Sequence, residues 1–84
     1  MEKLRNDLLE SSEKLVFGTE RNLKLLKNDG LKRIYFSSNC ADKIKMDIKH
    51  YGKSVEIVEL NNVNNEIGVI CKKPFSISVI GLIK

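Results

Sequence analysis

The sequence predicts an α/β domain in which helices cover both faces of a β-sheet. Short apolar segments of strand character alternate along the 84 residues with segments whose apolar residues recur at helical spacing. Strands separated by helices are typical of such layered sheets. Hydrophobic residues make up 42% of the chain and charged residues 31%, which is the balance of one folded domain, spanning residues 1–84, rather than of a disordered segment.

Four helices are expected from the apolar periodicity. They lie at residues 2–11, at Glu20–Asn28, at Ala41–Tyr51 and in a short segment that carries Ile67 and Ile70. Thr19 is a suitable N-cap for the second helix, and Asn62 or Asn64 for the fourth, because their side chains can accept a bond from a free helical N–H. Glycine adopts the left-handed conformation in which helices commonly end, so Gly30 is expected to end the second helix.

The third helix is expected to end at Gly52 and the fourth at Pro74. Four strands are predicted at Lys14–Phe17, Arg33–Phe36, Ser54–Leu60 and Ser76–Ile83. The consecutive Ile34, Tyr35 and Phe36 predict a strand that is buried on both faces.

Polar and small residues follow or precede these strands at three places. The loops are Gly18–Arg21, Ser37–Cys40 and Lys72–Ser76. Layered α/β sheets bind their ligands in loops at strand ends, so these three loops are the candidate site if they converge.

The positive charge is concentrated in one segment. The net charge is +4, and residues 14–33 alone hold six basic and two acidic residues. This distribution permits a polyanionic partner, although a solvated lysine-rich helix would look similar.

The sequence offers little for catalysis or metal binding. Gly18-Thr19 lacks the rest of a phosphate-binding motif, and no pair of carboxylates stands out. Cys40 precedes a helix, which would lower its pKa, but the only histidine, His50, lies one helix away. His50 and the two widely separated cysteines do not form a zinc pattern. We therefore expect no catalytic residue, no metal and no cofactor.

No signal peptide or membrane span is apparent, and two cysteines do not form a disulfide framework. We therefore expect a cytoplasmic protein with reduced thiols and no membrane partner. No element shows a large spare apolar face, so a monomer is expected. The compact length favours an archaeal source.

Phe75 follows Lys72, Lys73 and Pro74 and has two interpretations. As an exposed ring beside cations it would contact nucleic acid, with phosphate on lysine and a base on the ring. Alternatively it is the first core residue of the last strand, since most aromatic residues are buried.

Four segments resemble the kink-turn-binding ribosomal protein superfamily, in the same order along the chain. They are Gly18–Lys27, Ile34–Cys40, Asn65–Gly68 and Cys71–Val79. The nearest resemblance is to a large-subunit ribosomal branch of archaea and eukaryotes, and it covers residues 2–83. It implies a three-layer α/β/α sandwich with a four-stranded mixed sheet. It also implies binding to an RNA kink-turn, in which a bulge and sheared G·A pairs bend a helix.

The resemblance carries RNA contacts to matching positions. Gly18 would allow close backbone approach, and phosphate and guanine contacts would come from Thr19, Arg21 and Lys24. The second loop would be lined by Ser38 and Asn39. The bulge would be framed by Asn65 and Glu66, and looped-out nucleotides would meet Lys73, Phe75 and Ser76. Lys27 and Lys32 are better suited to salt-sensitive phosphate contacts than to sequence choice.

One position departs from the superfamily pattern. Many members have asparagine and then glutamate where this chain has Glu20 and Arg21. Glu20 either accepts from a guanine amino group or turns toward solvent and Arg21. The second is favoured, because a carboxylate near phosphates is repelled unless it is well paired.

Three functions remain open from the sequence. The first is a structural constituent of the large ribosomal subunit that binds a kink-turn in ribosomal RNA beside neighbouring ribosomal proteins. The second is a kink-turn-binding protein of a small-RNA-guided modification particle, whose members usually have aliphatic residues where this chain has Lys73-Pro74-Phe75. The third is a small protein-interaction or catalytic domain with incidental basic charge.

Overall fold

A computed structural model describes residues 2–84. The helices are α1 (Glu2–Glu10), α2 (Thr19–Lys27), α3 (Asp42–Tyr51) and α4 (Asn64–Ile70). The strands are β1 (Leu15–Phe17), β2 (Leu31–Phe36), β3 (Glu56–Glu59) and β4 (Val79–Ile83), and a single 3₁₀ turn (Ser12–Lys14) joins α1 to β1. Every predicted helix and strand is present, mostly with narrower bounds.

The four strands form one mixed sheet in the order β1-β4-β2-β3. Strand β4 lies between β1 and β2 and is antiparallel to both, whereas β3 is parallel to β2. Helices α1 and α4 cover one face of the sheet, and α2 and α3 cover the other. The predicted three-layer α/β/α sandwich with a mixed sheet is confirmed.

Strand β2 shows why both faces need cover. The side chains of Ile34 and Phe36 enter the core beneath α2 and α3, and that of Tyr35 enters the core beneath α1 and α4. All three are almost fully buried, as three consecutive apolar residues predicted. Because side chains alternate along a strand, this run cannot be buried by one layer of helices.

A buried polar cluster ties α1 to the sheet. The Tyr35 hydroxyl donates to Asp7 Oδ2 at 2.5 Å, and Arg33 Nη1 donates to the same oxygen at 2.8 Å. Arg33 Nε also donates to Glu56 Oε1 at 2.7 Å, and Glu56 in turn pairs with Lys3. Lys3 and Arg33 together hold the pKa of the Glu56 carboxyl at about 2. One guanidinium therefore links α1, β2 and β3.

Several predicted helix ends are wrong by a few residues. Thr19 is the first residue of α2 rather than its cap, and Asp29, with φ of 56°, takes the left-handed conformation predicted for Gly30. A short polar side chain tolerates that conformation because it hydrogen-bonds locally. The N-cap of α4 is Val63, not Asn62 or Asn64. A valine side chain accepts no bond, and instead Glu66 Oε1 accepts from the Val63 N–H at 3.2 Å.

The end of α4 and the start of β4 also differ from the prediction. Helix α4 ends at Ile70, and Lys72, with φ of 58°, reverses the chain before Pro74 is reached. Strand β4 begins at Val79 instead of Ser76, because the Ile77 N–H bonds to the Asn64 carbonyl outside the sheet. The segment between α4 and β4 is therefore a longer loop than expected.

Within residues 2–84, no helix has the length and apolar character needed to cross a bilayer. In the same range, no three His, Cys, Asp or Glu residues cluster in a way that could hold a metal ion.

We predict that Tyr35 ionises only when the domain opens at alkaline pH. Burial, and then the bond to Asp7, raises the pKa of Tyr35 well above its ordinary value of 10. The contribution of the neutral Tyr35 hydroxyl to the free energy of unfolding is therefore complete below pH 10 and is lost as the pH rises above it. Absorbance of the phenolate should be followed in a Tyr51→Phe variant, where Tyr35 is the only tyrosine. The absorbance should rise together with loss of the far-UV circular dichroism, and ionisation near pH 10 in an intact fold would contradict this.

Candidate nucleic-acid interface

Four chain segments meet at one edge of the sheet. Strand β4 is antiparallel to its neighbours, so its first residues lie beside the last residues of β1 and β2, with Phe17 opposite Ile80 and Phe36 opposite Val79. Strand β3 ends at the same edge because it runs parallel to β2. We call this surface the loop edge; its segments are 18–21, 37–40, 61–66 and 72–78. The three loops predicted from the sequence therefore converge.

Gly18 forms the turn between β1 and α2. Its φ of 115° is a conformation that residues with a side chain rarely adopt, and no atom lies within 4 Å of where a Cβ would stand. Its N–H donates to the Val79 carbonyl at 3.1 Å, which fixes the turn to β4. The backbone at Gly18 is thus both held in place and open to a close approach from solvent.

Asn22, which the sequence analysis did not select, holds this turn from beneath. Its side chain is fully buried, and Nδ2 donates to the carbonyls of Gly18 at 2.6 Å and Val16 at 3.0 Å. Asn22 lies four residues before Leu26, on the same buried face of α2. A polar residue at that core spacing was the available signal.

The side-chain amide of Asn39 makes hydrogen bonds within the protein. Its Nδ2 donates to Asn64 Oδ1 at 3.1 Å, and its Oδ1 accepts from the Asn64 N–H at 3.0 Å. The adjacent Ser38 N–H donates to the Asn62 carbonyl at 3.0 Å, and its carbonyl accepts from Lys45 Nζ at 3.2 Å. Through these bonds the second loop holds the start of α4 in place.

Asn65 and Ser76 are joined across the loop edge. The Ser76 hydroxyl donates to Asn65 Oδ1, which leaves the two donors of the Asn65 amide directed elsewhere. Glu66 uses one carboxylate oxygen to accept from the Val63 N–H at the start of α4. Asn65 and Ser76, which were both predicted as RNA contacts, are therefore adjacent. Glu66 has a structural role at the start of α4.

Phe75 is exposed. Its ring keeps 55% of its accessible surface, so the interpretation of Phe75 as a core residue is wrong. An open cavity of about 360 Å³ lies beside it, lined by Asn65, Val69, Lys73, Pro74, Phe75 and Ser76. The Lys73 ammonium lies 4.8 Å from the centre of the Phe17 ring. Phe75 and Lys73 thus both line this cavity, while the Lys73 ammonium lies over the Phe17 ring outside it.

Gly68 allows this loop to pass close to α4. A Cβ at Gly68 would stand 2.2 Å from the Phe75 carbonyl oxygen. The Lys73 N–H donates to the Gly68 carbonyl at 2.9 Å, which holds the loop against the helix. The sequence analysis missed Gly68, although a glycine inside a helical pattern was its signal.

The first two turns of α2 add charge to the loop edge. Arg21 and Lys24 are exposed, and Thr19 is half-buried. The free N–H groups at a helix N-terminus carry partial positive charge and attract anions. Glu20 is exposed in the same turn and makes no ion pair, with Arg21 or any other residue, in the described part of the chain.

Two basic residues do not join the loop edge. Lys27 is the last residue of α2, and its Nζ lies 5.0 Å from the centre of the Tyr51 ring at the end of α3. Eight steps along the helix place Lys27 roughly 12 Å from Thr19. Lys32 is exposed near the start of β2, at the opposite end of the sheet.

Comparison with known proteins identifies the family. The model of the family described as "Ribosomal protein L7Ae/L30e/S12e/Gadd45 family" matches residues 2–84. The chain belongs to this family. The family resemblance predicted from the sequence is confirmed.

Curated relatives in the L7Ae/L30e/S12e/Gadd45 family are named as large ribosomal subunit protein eL30. The Sulfurisphaera tokodaii protein is 35% identical over 72 residues, which cover 83% of this chain and 68% of that relative. The Archaeoglobus fulgidus protein is 35% identical over 65 residues, which cover 77% of this chain and 73% of that relative.

Solved structures show the same fold. A Bacillus halodurans protein of unknown function has a TM-score of 0.70 at 19% identity, covering 87% of this chain and 74% of its own. The Giardia lamblia 15.5kD RNA binding protein has a TM-score of 0.66 at 19% identity, covering 88% of this chain and 63% of its own. At this identity the likeness concerns the fold alone.

We predict that Gly68→Ala disturbs the loop at 72–76. Alanine favours a helix over glycine by about 1 kcal/mol, but its Cβ would collide with backbone, and such overpacking costs about 1–3 kcal/mol. The free energy of unfolding, measured with urea, should therefore fall, and amide NMR shifts should change in this loop. Met46→Ala, at an α3 side chain with 69% exposure that lies outside this loop and its cavity, is the control and should leave the loop shifts unchanged. Unchanged loop shifts in Gly68→Ala would contradict the prediction.

Proposed function

We propose that this protein is a structural constituent of the large ribosomal subunit and binds a kink-turn in ribosomal RNA at its loop edge. The names of its eL30 relatives support the ribosomal role. The observation that carries the RNA proposal is the exposed Phe75 ring, which shares one sheet edge with Lys73, the open turn at Gly18 and the start of α2.

The turn at Gly18 and the start of α2 suit the phosphate backbone. A kinked strand can approach Gly18 closely because no side chain covers it. Thr19, Arg21 and Lys24 then provide a hydroxyl and two cations beside helical N–H groups, which is the arrangement that binds phosphate. Glu20 faces solvent in this proposal, where a carboxylate is also favourable to the positive end of α2.

The cavity beside Phe75 suits an unpaired base. RNA is recognised mainly through bases that leave the stack, and aromatic rings provide the surface on which such bases rest. Asn65 and Ser76 offer hydrogen-bonding groups at the cavity wall, and Lys73 offers a cation for the adjoining phosphate. This region therefore supplies base recognition, and α2 supplies the phosphate contacts that set position.

Ser38, Asn39 and Glu66 act mainly by positioning. The amide of Asn39 is used by Asn64, and Glu66 is used at the start of α4. Their bonds hold the cavity wall in place before RNA arrives, which lowers the entropy cost of binding. Lys27, at the far end of α2, contributes general attraction rather than a contact at the kink.

The proposed role is structural and not enzymatic, as the naming of the relatives as ribosomal proteins suggests. It places the single domain of residues 1–84 in the cytoplasm, on the ribosome, beside other large-subunit proteins and as a monomer when free. The partner is ribosomal RNA, with no membrane contact.

The first test compares an RNA stem containing a bulge and tandem G·A pairs with a straight duplex of equal charge. Phe75→Ala should weaken binding of the kinked RNA by about 1–3 kcal/mol, the scale of one base–aromatic contact. Binding of the straight duplex should not change. The measurement is a gel-shift titration at two salt concentrations, with Met46→Ala, an exposed residue on α3, as control. Equal binding of both RNAs by the unmodified protein would refute the proposal.

The second test separates phosphate contacts at the kink from general attraction. Arg21→Ala should reduce the slope of log affinity against log salt by about 0.7–0.9, the value for one phosphate contact. Lys27→Ala should lower affinity for kinked and straight RNA alike and by less, because Lys27 lies away from the loop edge. If Lys27→Ala lowered the affinity more than Arg21→Ala, the RNA would bind near the C-terminal end of α2, which would contradict binding at the loop edge.

A further inference from the structure

A second cavity lies between α1 and α4 and meets the loop edge at Lys72 and Lys73. Its volume is about 600 Å³, within the range of ligand pockets. Its lining residues include Arg5, Leu8, Leu9, Ile70, Lys72 and Lys73. We call it the α1/α4 groove.

The groove contains apolar surface that the fold does not cover. Leu4 on α1 is fully buried, but Leu9 on the same helix keeps 83% of its surface exposed. Leu9 stands with the partly buried Leu8 and Ile70 in the lining of the groove, so its exposed apolar surface continues into the groove.

The charged residues that line the groove are all basic. Arg5, Lys72 and Lys73 stand among its lining residues, and none of the lining residues in the described chain is Asp or Glu. Lys72 is held in position by its left-handed backbone, and its N–H donates to the Val69 carbonyl at 3.0 Å. The occupant is therefore expected to be apolar on one side and acidic at its margins.

The chemistry of the lining favours a protein segment over RNA. Most of the apolar lining is aliphatic, whereas unpaired bases are held mainly by aromatic rings and guanidinium planes. Among the described lining residues, Phe17 is the one aromatic residue and Arg5 has the one guanidinium, and Lys73 lies above the Phe17 ring. Leucine-rich grooves between helices accept the apolar face of an amphipathic helix.

We propose that the α1/α4 groove binds an acidic amphipathic helix of another protein. Apolar side chains of that helix would lie against Leu8, Leu9 and Ile70, and its carboxylates would pair with Arg5 and Lys72. The site does not depend on the RNA proposal, although Lys73 stands between the two surfaces.

The test is a selection from a phage-displayed library of short helical peptides, with the full chain as bait. Enriched peptides should have apolar residues at helical spacing flanked by Asp or Glu. Leu9→Glu should weaken their binding by at least about tenfold, as expected for a central contact. Met46→Glu, at an α3 residue with 69% exposure, is the matched control and should bind as the unmodified protein does.

Two further measurements decide where the peptide binds. Cys71 lines the groove, so a bound peptide should slow its reaction with a thiol reagent. Leu9→Glu should bind kinked RNA normally, so loss of peptide binding and failure of the RNA proposal are distinguishable. No enrichment, enrichment without acidic residues, or an unprotected Cys71 would overturn the proposal. A dimer of the chain that Leu9→Glu dissociates would also overturn it.

Discussion

The insertion of β4 between β1 and β2 determines the rest of this structure. Because β4 runs against both neighbours, the loop that precedes it meets the loops that follow them. The central position also demands close packing on the α2 side: a Cβ at Gly81 would stand 1.9 Å from Asn22 Oδ1. The small residue lets α2 approach β4, and Asn22 can then hold the turn at Gly18.

The sequence predicted the layers well because they depend on burial patterns. Three consecutive apolar residues in β2 required cover on both faces, and the alternation of helices and strands supplied it. The residues at which helices and strands begin and end were less predictable. Bonds between distant segments contribute at the ends of α4 and β4, where the Asn64 N–H donates to Asn39 Oδ1 and the Ile77 N–H donates to the Asn64 carbonyl. Local preferences for caps do not contain that information.

The candidate site was predictable in its residue types but not in their roles. The sequence indicated Lys73 and Phe75 as a cation and an aromatic residue in one loop. Phe75 is exposed, as a ring that contacts RNA must be. Asn39 and Glu66 make hydrogen bonds within the protein. These roles were not predictable, because the partner of Asn39 is distant in sequence and the partner of Glu66 is a backbone N–H. Asn22 and Gly68 act from beneath the surface, and only the packing reveals why a buried amide and a missing Cβ are needed.

The pairing of β1 with β4 has a consequence for synthesis of the chain. The partners Leu15 and Leu82 lie at nearly opposite ends of the sequence. During translation, β1 emerges early and must wait for β4 before it gains a hydrogen-bonded neighbour. Pairings of such wide separation slow folding, because a long loop must close first. A nascent chain that has not reached residue 79 therefore has no complete loop edge, so incomplete molecules lack the site that we propose for RNA.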